Sequence, residues 1–249
     1  MTGASTTVAR DRASARMPAL VAVAFGLTIA TYAALFADDA TVHALAGDER
    51  VIETIGAFAF GFASLFAVLA GLRTRRADRA QATWLFLLGF VLFLAFGEEI
   101  SWGQHFLEFQ TPAEVQELNN QAEFNLHNLK ILDSRDTSGA RKTGLGFFVN
   151  SNRFIDYFMA GLFLVLPLVR RLPGRLARWV DGLGLPRHGL ELSAPLALNY
   201  ALTAVSLLVT SSVLRSRATS EIREANSAFL CALLCIYLYL QARDSGMRR

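Results

Sequence analysis

Two short segments hold most of the polar chemistry that this chain concentrates in one place. The first is FGEEISWGQHF, Phe96 to Phe106, where Glu98 and Glu99 follow directly on an apolar run. Two adjacent carboxylates repel unless one keeps its proton, is bonded to donors or binds a cation, and a carboxyl tuned in this way is what a general acid or base requires. If the helix leading into the pair continues, Glu98, Ser101, Trp102 and His105 share a face and Glu99 points about a quarter turn away. The same residues also read as a helix end at a membrane boundary, with Trp102 in the aromatic belt.

The second segment is TPAEVQELNNQAEFNLHNL, Thr111 to Leu129. Thr111 as N-cap, Pro112 at the first helical position and Glu114 two residues on spell a capping box, which predicts a helix over 112–129. Val115, Leu118, Ala122, Leu126 and Leu129 form an apolar stripe along it, so the helix is expected to rest on the membrane or on other helices. Glu123 and His127 lie one turn apart beside that stripe, a spacing that suits metal binding or an oriented base. The sharpest expectation is that this outer helix folds back and brings Glu123 and His127 to Glu98, Glu99 and His105. Such an oxygen and nitrogen site would suit Zn, Mn or Fe, a divalent metal being the cofactor these residues suggest. Glu98, Glu99 and His127 are the catalytic candidates. The competing reading is a hydrogen-bonded cluster that pins the outer loop, since neither an HExxH nor a Glu-x-x-His spacing is present.

These segments need elements to position them, and hydropathy indicates which. The 249 residues are 53% hydrophobic and 18% charged, with a mean hydropathy of +0.36, too apolar for a soluble domain. Apolar blocks fall at about 18–36, 51–72, 82–102, 154–169, 196–213 and 227–241, long enough to cross a bilayer as helices and without the alternation of a barrel strand. The expected fold is all-α: one polytopic transmembrane helical bundle of about six helices, with the outer amphipathic helix after the third. The first block is longer than a typical signal core and runs into Asp38 and Asp39, so it reads as an uncleaved anchor. Ala59, Ala63, Ala67 and Gly71 form a small-residue packing stripe, and Asn199, Thr203, Ser206 and Thr210 a face for interhelical hydrogen bonds. Cys231 and Cys235, one turn apart in an apolar block, are expected to act as small hydrophobes rather than as a disulfide.

Arginine sets the orientation. With the N-terminus inside, Arg10, Arg12 and Arg16, Arg73 to Arg79, Arg170 to Arg187, and Arg243 to Arg249 all fall on the inner side, and they include most of the chain's 24 basic residues. Both termini are therefore expected in the cytoplasm of a bacterial inner membrane. Glu53, Asp156 and a loop carrying Glu221 and Glu224 then join Glu98 and Glu99 at the outer end. A pI near 9.1 is accounted for by these arginines, so nucleic acid is not expected as a partner.

GEEISWGQ followed by FNLHNL resembles an uncharacterised family of bacterial multi-pass membrane proteins, the likeness spanning about Phe96 to Leu132. That resemblance implies a shared site without an assigned activity. A looser resemblance is to the CPBP intramembrane proteases, relatives of the CAAX proteases, whose Glu-Glu pair Glu98 and Glu99 match. Gly103 stands where that family carries an arginine. The expected function is hydrolysis or transfer on a membrane-embedded substrate, a lipid or a membrane protein. Two other readings are a structural, sensory or assembly protein and, third, a transporter, for which neither a central charge nor paired broken helices are seen.

Overall fold

The computed structural model describes residues 15–46, 51–134, 142–210 and 212–246. Arg10, Arg12, Arg248 and Arg249 lie outside the described residues, as does the side chain of His105. Among the described residues all the regular structure is helical, with one isolated bridge between Asn119 and Leu129 and no strand.

Helix α1 spans Met17–Ala33 and α2 Asp39–Ala46; the hairpin α3 and α4 covers Val51–Thr74 and Arg79–Glu99. Short helices α5 (Gln104–Leu107), α6 (Ala113–Leu118) and α7 (Leu145–Phe148) follow. Next come α8 (Ser151–Ala160), a π-helical turn over Gly161–Val165, α9 (Leu166–Val169), α10 (Arg175–Gly182), α11 (Ser193–Val209) and α12 (Val213–Gly246). Four stretches are long and apolar enough to cross a membrane: Met17–Phe36, Val51–Thr74, Arg79–Glu99 and Val213–Ser245. The apolar α11 is shorter, and the run through α8 and α9 is divided by the π turn.

Helix α3 is the hub, packed against α4 on one side and α12 on the other. Its small residues make this possible. Ala59, Ala63, Ala67 and Gly71 are all buried, and a Cβ added at Gly56 would lie 3.1 Å from Ala225 Cα in α12. Ser64 Oγ donates to the Gly89 carbonyl of α4 at 2.7 Å, a bond that needs the two backbones close together. The expected polar face of α11 ties α1 and α12 together: Tyr32 Oη donates to Asn199 Oδ1 at 3.0 Å, and Asn199 Nδ2 donates to the Arg223 carbonyl at 3.0 Å. Cys231 and Cys235 are free and buried.

Two expectations about helices are corrected. Residues 214–226 are not a loop; α12 begins at Val213 and takes in Arg215, Arg217, Glu221, Arg223 and Glu224. Two of the charges that suggested a loop are matched from other elements. Arg215 donates to the Leu35 and Ala37 carbonyls and to Asp39, and Arg223 pairs with Asp156. Alongside them Ala218, Ile222 and Ala225 make a buried helical stripe.

The predicted helix over 112–129 is formed only across Ala113–Leu118. Thr111 does not cap it; its buried Oγ1 makes no hydrogen bond, while its carbonyl accepts from Gln116 Nε2. At Asn119 the side-chain oxygen takes the N–H groups of Gln121 and Glu123, offering the backbone a turn in place of the next helical bonds. The chain then doubles back so that Asn120 N–H donates to the Asn128 carbonyl at 2.9 Å.

Candidate functional site

Helix α4 ends at Glu99, three residues short of the expected boundary at 102, because Ser101, Trp102 and Gly103 all take left-handed conformations, with φ of 48°, 53° and 81°. For the two that are not glycine this costs about 1–2 kcal/mol each. The reversal carries Ser101 to full burial and lays the Trp102 ring over Gly97, where an added Cβ would come within 2.8 Å of it. The single helical face expected for Glu98, Ser101, Trp102 and His105 is therefore broken after Glu99.

What the reversal achieves is contact between the two sequence segments. Glu98 Oε1 accepts from Trp102 Nε1 at 2.9 Å, and its Oε2 accepts the backbone N–H groups of Leu126 at 2.6 Å and His127 at 3.0 Å. Ser101 Oγ donates to Glu123 Oε2 at 2.7 Å and accepts from Asn125 Nδ2 at 2.9 Å. Gln104 Oε1 accepts the Phe124 N–H at 2.8 Å. Side chains of GEEISWGQ thus satisfy the backbone and side chains of EFNLH, and the loop is latched over the end of α4. Asn119 reinforces it from within, donating to Asn125 Oδ1 at 2.9 Å.

This arrangement separates the candidates into two groups. Glu98 and Glu123 are occupied with protein donors and hold the loop. Glu99 points elsewhere, into a void of about 10 Å³ lined by Glu53, Gly56 and Phe60 of α3 and by Glu221, Glu224 and Ala225 of α12. That volume admits about one water molecule. Neither Glu99 nor Glu221 makes a hydrogen bond or salt bridge among the described residues. Glu224 is held by Arg223 at 2.8 Å, and Arg223 lies 3.4 Å from Asp156, which accepts from Tyr200 Oη at 2.8 Å.

His127 joins the two groups. Its buried Nδ1 makes no hydrogen bond and stands 3.6 Å from Glu98 Oε2. Burial alone would lower its pKa, but the Glu98 carboxylate and the charges of Glu99 and Glu224 outweigh that and raise it.

The expected metal set includes His105, whose side chain lies outside the described residues. Both oxygens of Glu98 and Oε2 of Glu123 accept from N–H and O–H donors, and among the described residues no group of three His, Cys, Asp or Glu is arranged to hold a metal ion. The structure brings Glu98, Glu123 and His127 into one latch and sets Glu99 on its far side. Glu53, Glu221 and Glu224 were legible only as neighbours at one end of the bundle; their direct association with Glu99 depends on α12 being helical from Val213. Comparison with known proteins returns no matching family model, no matching curated protein and no matching solved structure.

Proposed function

We propose that this is a bacterial inner-membrane protein that crosses six times, through α1, α3, α4, the run from α8 to α9, α11 and α12, with both termini in the cytoplasm. Supporting this, Arg16 at the start of α1 pairs with Asp244 near the end of α12 at 3.1 Å, while Arg215 at the start of α12 pairs with Asp39 just beyond α1. The working site is the carboxylate cluster beneath the latched loop, and its task is to take up and release protons as part of a sensory or regulatory role. The observation that carries this reading is the meeting of Glu53, Glu99, Glu221 and Glu224, from three helices, around a void that holds about one water. Like charges so placed need compensation, which protons, Arg223 and His127 can supply and a substrate-sized ligand cannot. The readout is the loop, because His127 lies between the cluster and the Glu98 latch.

The test is difference infrared spectroscopy of the reconstituted protein, following the carbonyl stretch of protonated carboxyls between about pH 5 and pH 9. The expected result is a titrating carboxylic band that Glu99→Gln and Glu221→Gln each diminish. A wild-type protein without any titrating carboxylic band in that range overturns the reading.

One observation favours a second reading, an enzyme that hydrolyses or transfers groups on a membrane-embedded lipid or protein. His127 beside Glu98 and Glu99 is an imidazole and carboxylate grouping of the kind that shuttles protons to a substrate. In that mechanism Glu99 rather than Glu98 is the base, since Glu98 already accepts three N–H bonds. Turnover of lipid or peptide substrates that disappears in Glu99→Gln, in protein that still folds, distinguishes the enzyme from the sensor.

A further inference from the structure

About 20 residues of α4 separate Glu99 from Arg79, roughly 30 Å along the helix, so the opposite end of the hairpin is a different environment. There the turn between α3 and α4 opens into a cavity of about 560 Å³ lined by Arg75, Arg76, Arg79, Ala82, Thr83 and Phe86. Arg79, Ala82, Thr83 and Phe86 follow spacings of three, one and three, which place them on one face of α4. The three arginine side chains make no hydrogen bond or salt bridge among the described residues. Asp78, the carboxylate nearest in sequence, is turned to the Gln81 N–H at 2.9 Å as the cap of α4. Below the arginines the same face continues as Phe86, Phe90 and Phe93, all of them exposed.

We infer that this cavity binds the headgroup of an anionic phospholipid, with an acyl chain lying along Phe86, Phe90 and Phe93. Guanidinium groups match phosphate oxygens in geometry as well as charge, and three of them without a carboxylate partner favour a headgroup with net negative charge over a zwitterionic one. The aromatic track runs from the cavity toward the middle of the spanning helix, which a soluble phosphate would not use. The level of the site fits an interface. Trp84 Nε1 donates to the Leu183 carbonyl at 2.7 Å, docking the end of α10 at the level of the cavity but on the opposite face of α4, and α10 leaves Leu176 and Trp179 exposed next to Arg175 and Arg178. A helix of that kind lies in the headgroup layer. This arginine-rich end of the bundle shares no residue with the carboxylate cluster.

The experiment is native mass spectrometry of the delipidated, full-length protein in detergent, titrated in parallel with phosphatidylglycerol, phosphatidylcholine and inorganic phosphate. The expected result is a phosphatidylglycerol adduct favoured at least about tenfold over phosphatidylcholine, and lost to a similar extent when Arg75, Arg76 and Arg79 are all changed to Gln. The Arg175→Gln, Arg178→Gln double variant, which leaves the cavity intact, is expected to keep it. Thr83→Trp, which fills the cavity without changing charge, is expected to weaken the adduct even if the triple variant folds poorly. Equal binding of the two lipids, retention of the adduct in both cavity variants, or its displacement by inorganic phosphate at matched concentration would overturn the lipid site. The last outcome would assign the arginines to a soluble phosphate.

Discussion

At the end of α4 one step of helical backbone sends Glu98 toward the loop and Glu99 toward α3 and α12. The pair was legible in the sequence as two carboxylates at a helix end, but not their division of labour, because that depends on which donors the returning chain presents. Glu98→Ala leaves the Leu126 and His127 N–H groups without their acceptor and is expected to destabilise the loop by about 1.5–3 kcal/mol. Hydrogen exchange measures this directly: protection at those two amides should fall, and less so in Glu98→Gln, which keeps one acceptor. His127 adds a pH dependence whose sign follows from its raised pKa. A histidine whose pKa rises on folding contributes its stability fully below its unfolded value of about 6.5 and loses it as pH climbs through the folded value. Loop protection factors are therefore expected to be highest in mild acid and to decline above about pH 6.5, and His127→Gln should flatten the curve. A rise in protection across that window would contradict the arrangement around Glu98, Glu99 and Glu224.

At the scale of elements, the bundle was readable wherever apolar residues dominate and was misread where polar residues are matched at long range. The stripe Ala59, Ala63, Ala67 and Gly71 needed no partner information to be seen as packing. The first third of α12 did: Arg215 and Arg223 look like loop residues until Asp39 and Asp156 are placed beside them. The Asn119 and Asn120 pair was the available signal against a long outer helix, since an asparagine side chain competes with the backbone for nearby N–H groups. Close packing of α3 on α12 gives a prediction at this scale. Gly56→Ala puts a methyl group 3.1 Å from Ala225 Cα, which must move by a few tenths of an ångström, whereas Gly56→Leu forces the helices apart and is expected to lower thermal stability in detergent by about 1–3 kcal/mol. Asn199→Ala removes a residue that bonds both α1 and α12, and a loss of about 0.6–2 kcal/mol is expected from the same measurement. Unchanged melting for both variants would mean that α3 and α11 do not sit as described.

For the whole molecule, the all-helical class and four helices of membrane-spanning length and hydropathy followed from composition and the length of the apolar blocks, while the number of crossings depends on how the shorter helices behave. Cys231 and Cys235 are wholly buried, so a membrane-impermeant maleimide should leave the folded protein unlabelled and new cysteines can be read against a silent background. Six crossings predict that Arg76→Cys and Ser245→Cys label from one side of a sealed membrane and Glu117→Cys from the other. Labelling of Arg76→Cys and Glu117→Cys from the same side would refute that topology.

The length of α12 has an electrical consequence. Its 34 residues rise about 50 Å, well beyond the roughly 30 Å of a hydrocarbon core, so the helix stands partly clear of the apolar layer or tilts strongly within it. Glu221 and Glu224 lie in the first third of the helix, on the side where the loop sits, and below them Phe60, Ala63, Ala228, Leu230 and Cys231 close the bundle. A charge crossing the whole membrane gains about 2.3 kcal/mol per 100 mV, but in the six-crossing arrangement proposed above a proton reaching this void traverses only a small part of that drop. Occupancy of the cluster should then track the composition of the adjoining solution and be nearly blind to voltage. On the six-crossing arrangement proposed above, the void is an end station for protons rather than a conduit.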